Sequence, residues 1–266
     1  MIFQIKLKII DEFFVLYIGD YSPKNFTFNN NFFKKIKKIL KPWLAKKTKK
    51  INSTTINIYV NKKSLKIRIK SNYKLLFTKN ISKVNLNLKS LLNITLGSIL
   101  MAVSIRLSQT GGFILHASAC LFKNKALVFV GKSGAGKSTI KDLLSSSLKP
   151  LSDDVVFIKP KKNKYYLYQP FHQIMKDKKI KYTNKKFSLG KIFFLVKSNK
   201  RSKIIVIKNK EKIFRKISSE MWLPGESIKK NYWIKFYEFI SNFRDFFEIN
   251  FRKKRNELIT LFNKKN

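Results

Sequence analysis

The sequence predicts an α/β fold, with a mixed sheet around a strand–loop–helix unit and a β-rich part before it. Three observations carry this reading. Residues 126–130 are an unbroken apolar run, followed by a glycine-rich loop and then by Ile140, Leu143, Leu144 and Leu148 on one helical face. The first 84 residues repeatedly alternate apolar and charged positions, as half-buried strands do. Beyond residue 150, short apolar runs give way to helical spacings.

In chain order, residues 2–20, 55–61, 63–70 and 73–79 read as strands. Leu65, Ile67 and Ile69, for example, alternate with Lys66, Arg68 and Lys70. Residues 31–50 form a basic helix or loop interrupted at Pro42, since proline removes a backbone donor. Residues 90–105 (SLLNITLGSILMAVSI) are the longest uncharged run. The run contains Asn, Thr and Ser and falls short of the roughly eighteen apolar residues of a membrane span. It therefore reads as a buried helix, about 86–109, that ends near Gly111 and Gly112. Residues 111–122 form the next strand, and Lys123-Asn124-Lys125 turn it into the apolar run at 126–130. Further strands are expected near 164–168, 190–196 and 203–208, and helices near 227–246 and 254–263. The chain thus divides into a β-rich region, 1–84, and a second region, 85–266, built around the glycine-rich loop. Trp222, Tyr232, Trp233, Phe236, Phe239, Phe243 and Phe246 recur at near-helical spacing, which suits a core better than a base-stacking platform.

Composition narrows the class. A chain of 266 residues with 44% hydrophobic content can bury a sizeable core and is no disordered polyelectrolyte. The single cysteine, Cys120, excludes an intrachain disulfide framework and fits a reducing compartment, hence a cytoplasmic location. The start, MIFQIKLKIIDEFF, alternates like a strand and lacks the pattern of a signal peptide. The formal charge is +44, with lysines spread from Lys6 to Lys265 and only seven arginines. Such a field attracts polyanions nonspecifically and in a salt-dependent way. No zinc spacing, RNA-recognition signature or arginine cluster accompanies it, so specific nucleic-acid recognition is not expected.

The chemistry concentrates in two places. Gly131-Lys132-Ser133-Gly134-Ala135-Gly136-Lys137-Ser138-Thr139 matches the phosphate-loop pattern G-x-x-x-x-G-K-[ST] in its required strand–loop–helix setting. Glycines let backbone N–H groups turn toward a polyphosphate, and the helix start adds partial positive charge. Lys137 would then reach the β- and γ-phosphates, and the Ser138 hydroxyl would ligate Mg²⁺. This predicts ATP with Mg²⁺ as the ligand. The second place is Asp153-Asp154, sixteen residues beyond Lys137, in a chain with no acidic residue between Asp20 and Asp142. One carboxylate there can take a proton from an attacking hydroxyl, and the other can hold Mg²⁺. Spacing alone does not say which does which.

The order of "LHAS" (Leu115 to Ser118), a hairpin, GKSGAGKS, a helix and "LSDD" (Leu151 to Asp154) resembles the HPr serine kinase/phosphorylase group. That group shares a fold with the ATP-utilising phosphoenolpyruvate carboxykinases, and the chain is most similar to its compact members, which include peptide-modifying kinases. The similarity is strongest over residues 107–158 and continues weakly through 187–195. It implies ATP-dependent transfer to a hydroxyl, a Ser of a protein or peptide, with one aspartate as proton acceptor and the other on Mg²⁺. Asp153 is assigned the proton and Asp154 the ion, a division the motif leaves open. It also implies that His116 supports the base or contacts phosphate; by itself a histidine in an apolar strand reads as core. The Glu-hydrophobic-Arg-Gly-x-Gly signature of the phosphorylases is missing from residues 159–266, so neither the reverse reaction nor HPr as substrate is implied. HPr kinases assemble into rings, which leaves a homo-oligomer open. A small-molecule kinase and a non-catalytic ATP-binding regulator are the competing classes. Gln169, Pro170, Phe171, His172 and Gln173 fall where an acceptor site would form, with His172 reading as a solvated loop residue. Arg201, Arg215, Arg244 and Arg252 are candidates for contacts to the transferred phosphate.

Overall fold

The computed structural model describes residues 2–9, 11–20, 30–45, 53–61, 64–71, 74–82, 87–171, 180–223 and 230–264. The chain divides into two compact units, Met1–Arg106 and Leu107–Asn266.

In the first unit, β1 (Ile2–Ile9) and β2 (Glu12–Asp20) form an antiparallel hairpin, with Asp11 at a φ of 62° in the reversal. The alternation at 2–20 is therefore two strands. A crossover helix, α1 (Asn30–Leu40), leads to β3 (Thr54–Asn61), which lies parallel to β2. β4 (Ser64–Ser71) and β5 (Lys74–Ser82) follow antiparallel, giving the order β1-β2-β3-β4-β5. Phe32, Phe33, Ile36, Ile39 and Leu40 of α1 are buried, and Lys34, Lys35, Lys37 and Lys38 are exposed. Pro42 falls in the short 3₁₀ turn after α1, where no helical N–H is needed. Helix α2 (Leu88–Gln109) has 22 residues, and its most apolar 18-residue window has a mean hydropathy of 1.6, long and apolar enough to cross a membrane, with 56% of that window buried.

The second unit is a three-layer arrangement built on β6 (Phe113–Phe122) and β7 (Lys125–Val130). Lys123 and Asn124 turn this hairpin with φ of 44° and 62°, the tight type whose twist matches the strands. After β7 come α3 (Lys137–Leu144), β8 (Lys149–Ser152), β9 (Val155–Lys161) and β10 (Lys164–Tyr168). Then follow β11 (Lys186–Lys197), β12 (Lys203–Val206), α4 (Lys210–Ser218), β13 (Met221–Trp222), α5 (Lys230–Asn242), β14 (Phe246–Phe251) and α6 (Arg255–Lys264). The strand order is β10-β9-β6-β7-β11-β14-β12, and β10 also pairs with β11. Five strands thus close into a ring. The chain as described is mixed α/β, with two mixed sheets.

Central strands are covered on both faces, which is why they read as continuous apolar runs. In β7, Ala126, Val128 and Val130 enter one core, where α4 and α5 contribute Ile213, Ile217, Tyr232, Phe236, Phe239 and Ile240. Leu127 and Phe129 enter the other, where α3 and α6 contribute Ile140, Leu144, Leu258 and Phe262. Gly190 lies at a bulge where the edge of β11 passes from β10 to β14, and a Cβ there would stand 2.8 Å from that of Lys125.

Two expectations need correction. The helical pattern at 227–246 stops at Asn242, and Phe246 opens β14, drawn into the sheet by parallel pairing with β11. Tertiary pairing here overrides local spacing. Trp222 is not core: it sits in the two-residue β13 at 38% exposure. Helix α4 had no counterpart in the sequence reading. The Asn209 side chain caps it by accepting from the Lys212 N–H at 2.8 Å, and Ile213 and Ile217 bury its one apolar stripe.

Candidate functional site

The site is organised by β6, whose two edges each change partner in mid-strand. One edge pairs with β13 at Ile114–Leu115 and with β7 from Ala117 onward. The other pairs with β9 at residues 113–116 and with β8 at 119–121. His116 sits at this seam. Its N–H donates to Glu220 O at 2.8 Å, and the next N–H, of Ala117, donates to Asp154 O at 2.9 Å on the opposite edge. Leu115, Ala117 and Ala119 face one core, so His116, Ser118 and Cys120 line the other side, toward α3.

Between β7 and α3 the glycine loop makes a tight reversal. Gly134 and Gly136 have φ of 77° and 100°, values that a residue with a Cβ rarely adopts. A Cβ on Gly136 would also stand 2.8 Å from the Phe251 ring. Lys132, Ser133, Gly134 and Ser138 are exposed, whereas Gly131, Ala135, Gly136 and Thr139 are partly buried. Lys137 is 8% exposed, and its ammonium donates to Gly131 O at 2.5 Å and Lys132 O at 3.2 Å, inside the curl of its own loop. The Ser118 hydroxyl, fully buried, donates to Lys137 O at 2.9 Å, tying the first turn of α3 to β6.

Asp153 and Asp154 form the bend between β8 and β9. The Ser152 hydroxyl spans the bend to Val155 O, and the Ala117 N–H holds Asp154 from the β6 side. Asp153 Oδ1 is shut off from solvent and faces Lys141 Nζ at 3.0 Å. Lys141 belongs to α3 and is itself buried, with Asp142 Oδ1 at 3.3 Å. A buried ammonium costs several kcal/mol unless it is paired, so Lys141 and Asp153 hold one another in place. Asp154 Oδ1 lies 2.8 Å from His116 Nε2, and Glu220 Oε2 lies 3.3 Å from His116 Nδ1. A carboxylate therefore stands at each ring nitrogen. The His116 and Asp154 side chains are about two-fifths exposed, while Glu220 is 8% exposed.

Beside the loop is a cavity of about 530 Å³, lined by Gly136 and Thr139 on one side and by Lys197, Asn199, Phe251 and Arg252 on the other. Arg252 is the one of the four candidate arginines that the structure brings to the loop. Arg215 pairs with Glu211 on the exposed face of α4, and Arg201 and Arg244 are exposed. Arg252 Nε donates to Glu257 Oε2 at 2.6 Å, and Glu257 also accepts from the Ser202 N–H. The Ser202 backbone N–H, then its hydroxyl and then Arg252 pull the Glu257 carboxyl down from 4.5 to about 2. A depressed carboxylate stabilises the fold above its unfolded value, and that stability is lost as pH falls through the folded one. Wild-type stability is therefore expected to decline from about pH 4.5 toward pH 2 more steeply than that of Glu257→Gln. Urea midpoints measured across that range would check this.

Among the other singled-out residues, Gln169 is a structural latch rather than an acceptor contact. It is 1% exposed, donates to Leu151 O at 2.8 Å and accepts from the Thr183 N–H at 3.0 Å. Pro170 and Phe171 are buried with it, and His172 and Gln173 lie outside the described residues. Burial pushes the Cys120 thiol up to about 12, which leaves it inert at neutral pH. No cluster of three or more His, Cys, Asp and Glu capable of holding a metal occurs among the described residues.

Sequence reading did not single out Lys141 or Glu220, and it marked Ser118 as part of "LHAS" without giving it a role. Lys141 lies one turn beyond Lys137 on α3 and so follows from helical spacing once Asp153 is known. Glu220 follows from nothing local. Its one hint is scarcity: the chain has 14 acidic residues, and among the described ones Glu220 is the acid that is buried.

Fold and site together define a mixed α/β protein with a glycine loop at a helix start and a histidine–carboxylate cluster beside it. The chain belongs to the family of the SynChlorMet cassette protein ScmC, whose family model matches residues 82–237. Among solved structures it is similar to the Hpr(Ser) kinase/phosphatase from Coxiella burnetii. That likeness has 13% identity and a TM-score of 0.30, and covers 57% of this chain and 94% of that one. No curated protein matches the sequence.

Proposed function

We propose that this protein transfers the γ-phosphoryl group of ATP to a hydroxyl, that of a serine in a protein or peptide. The carrying observation is the convergence of three elements on the start of α3. Ser118 ties β6 to the backbone of Lys137, Lys141 ties α3 to Asp153, and His116 ties β6 to Asp154. The glycine loop and Lys137 would hold the triphosphate. Asp153 accepts the hydroxyl proton as the substrate oxygen bonds to the γ-phosphorus, and the bond from that phosphorus to the β,γ-bridging oxygen breaks to release ADP. His116 supports the carboxylate pair or contacts the phosphate. Arg252, at the cavity beside Gly136, is the arginine best sited to meet phosphate or ribose oxygens.

The residues present suit Mg²⁺ held largely by nucleotide. Magnesium is bound by one or two protein oxygens plus phosphates and water, and Ser138 with Asp154 supplies such a pair. When bound, the ion would neutralise charge on the phosphate oxygens.

The test is label transfer. The chain, Mg²⁺ and γ-labelled ATP are incubated with lysate freed of small molecules, beside an Asp153→Asn control. A labelled polypeptide present only with the wild type is the expected result. ATP binding with no labelled polypeptide would shift the acceptor to a small molecule, or the chain to a nucleotide-binding regulator. Lys137→Ala is expected to weaken both ATP binding and transfer, since its ammonium serves both; a titration with labelled ATP reads the first.

A further inference from the structure

Glu220 lies more than sixty residues beyond the aspartate pair, outside every motif that defined the site, yet it touches His116 twice. Its carbonyl accepts the His116 N–H at 2.8 Å, and its Oε2 stands 3.3 Å from Nδ1. Its own N–H donates to Ile217 O at 2.9 Å, closing the end of α4, and the next residue, Met221, pairs with Leu115 in β6. Backbone, helix end and strand pairing thus fix the carboxylate before it meets the ring. At 8% exposure the side chain has little water to turn to, and burying a carboxylate is costly unless something receives it. In a chain of charge +44 the partner it faces among the described residues is the half-exposed ring of His116.

We infer that Glu220 is a positioning residue for phosphoryl transfer: it fixes the His116 ring so that Nε2 stays on Asp154, and through the ring it sets the direction of the Asp154 carboxylate. An imidazole held at one nitrogen only can turn about its side-chain bonds. Held at both, it keeps one orientation, and outer partners of this kind are what orient the groups that meet metal or substrate. The inference rests on the proposed kinase reading for its effect on rate, and on geometry alone for its effect on the ring.

The experiment therefore has two readouts. Protein labelled with ¹⁵N in histidine contains only His116 and His172, so the imidazole spectrum holds two ring systems. In Glu220→Gln, which keeps the shape of the side chain, and in Glu220→Ala, the His116 ring nitrogens are expected to shift. Transfer should fall about tenfold or more in kcat, with the KM for ATP within about twofold of wild type. Thermal midpoints are recorded so that unfolding is not mistaken for loss of positioning, and the Gln variant serves if the Ala variant does not fold. Unmoved His116 signals would overturn the inference, as would a moved signal with undiminished kcat. A wild-type chain that binds ATP but transfers nothing would sink the kinase reading, while the ring signals would still decide whether Glu220 sets His116.

Discussion

Asp153→Asn is expected to lower phosphoryl transfer by about 10²- to 10⁴-fold, the usual contribution of a positioned base. ATP affinity should change little. The amide has nearly the carboxylate's shape but cannot take a proton from the attacking hydroxyl. It also removes one negative partner of the buried Lys141 ammonium, which has Asp142 Oδ1 at 3.3 Å besides. Both changes fall on the acceptor side of the site, while Lys137 and the loop backbone stay tied to β6 through Ser118. Transfer rate and equilibrium ATP binding, measured on the same preparation, separate the two effects. Undiminished transfer would remove Asp153 as base and direct attention to Asp154 with His116. A large parallel loss of ATP binding would mean that the Lys141 pair shapes the loop itself.

The largest loss of stability is expected from Phe239→Ala, about 3–5 kcal/mol. Phe239 is fully buried on α5, and its ring meets those of Phe113, Tyr165, Phe236, Phe243 and Phe246 at centroid distances of 4.7 to 6.3 Å. These rings come from β6, β10, β14, α5 itself and the segment just after it. Removing the shared ring opens a cavity that five differently anchored neighbours cannot fill together. Chemical denaturation would report the change, and a loss below about 1 kcal/mol would show that α5 can sink into the gap. The alanine variant should also lose some activity, since β6 carries His116 on its opposite face.

What the sequence disclosed followed the range over which its signals act. The strand–loop–helix at 126–144 was legible because turn chemistry and helical spacing are local, and Lys123-Asn124 announced its own hairpin. The aspartate pair stood out because acids are rare in this chain. Phe246 was misassigned for the converse reason. Its spacing from Phe239 and Phe243 is helical, and only the parallel pairing with β11, some fifty residues earlier in the chain, makes it a strand. Glu220 and Gln169 were illegible as contacts because their partners, His116 and Thr183, are supplied by topology. Arg252 could not be ranked above Arg201, Arg215 or Arg244 until the cavity beside Gly136 was visible.

The pairing of β10 with β11 has a consequence for how the molecule keeps to itself. Sheets end in rows of unsatisfied backbone groups that can recruit the edge of another molecule. Here β10, β9, β6, β7 and β11 come full circle, so each strand of the ring has a neighbour on both sides. Off the ring the sheet ends at β12, four residues long and opened by Lys203, and at the short β8 and β13, each paired with β6. A chain so rich in phenylalanine is thereby given little opportunity to polymerise through its most apolar strands.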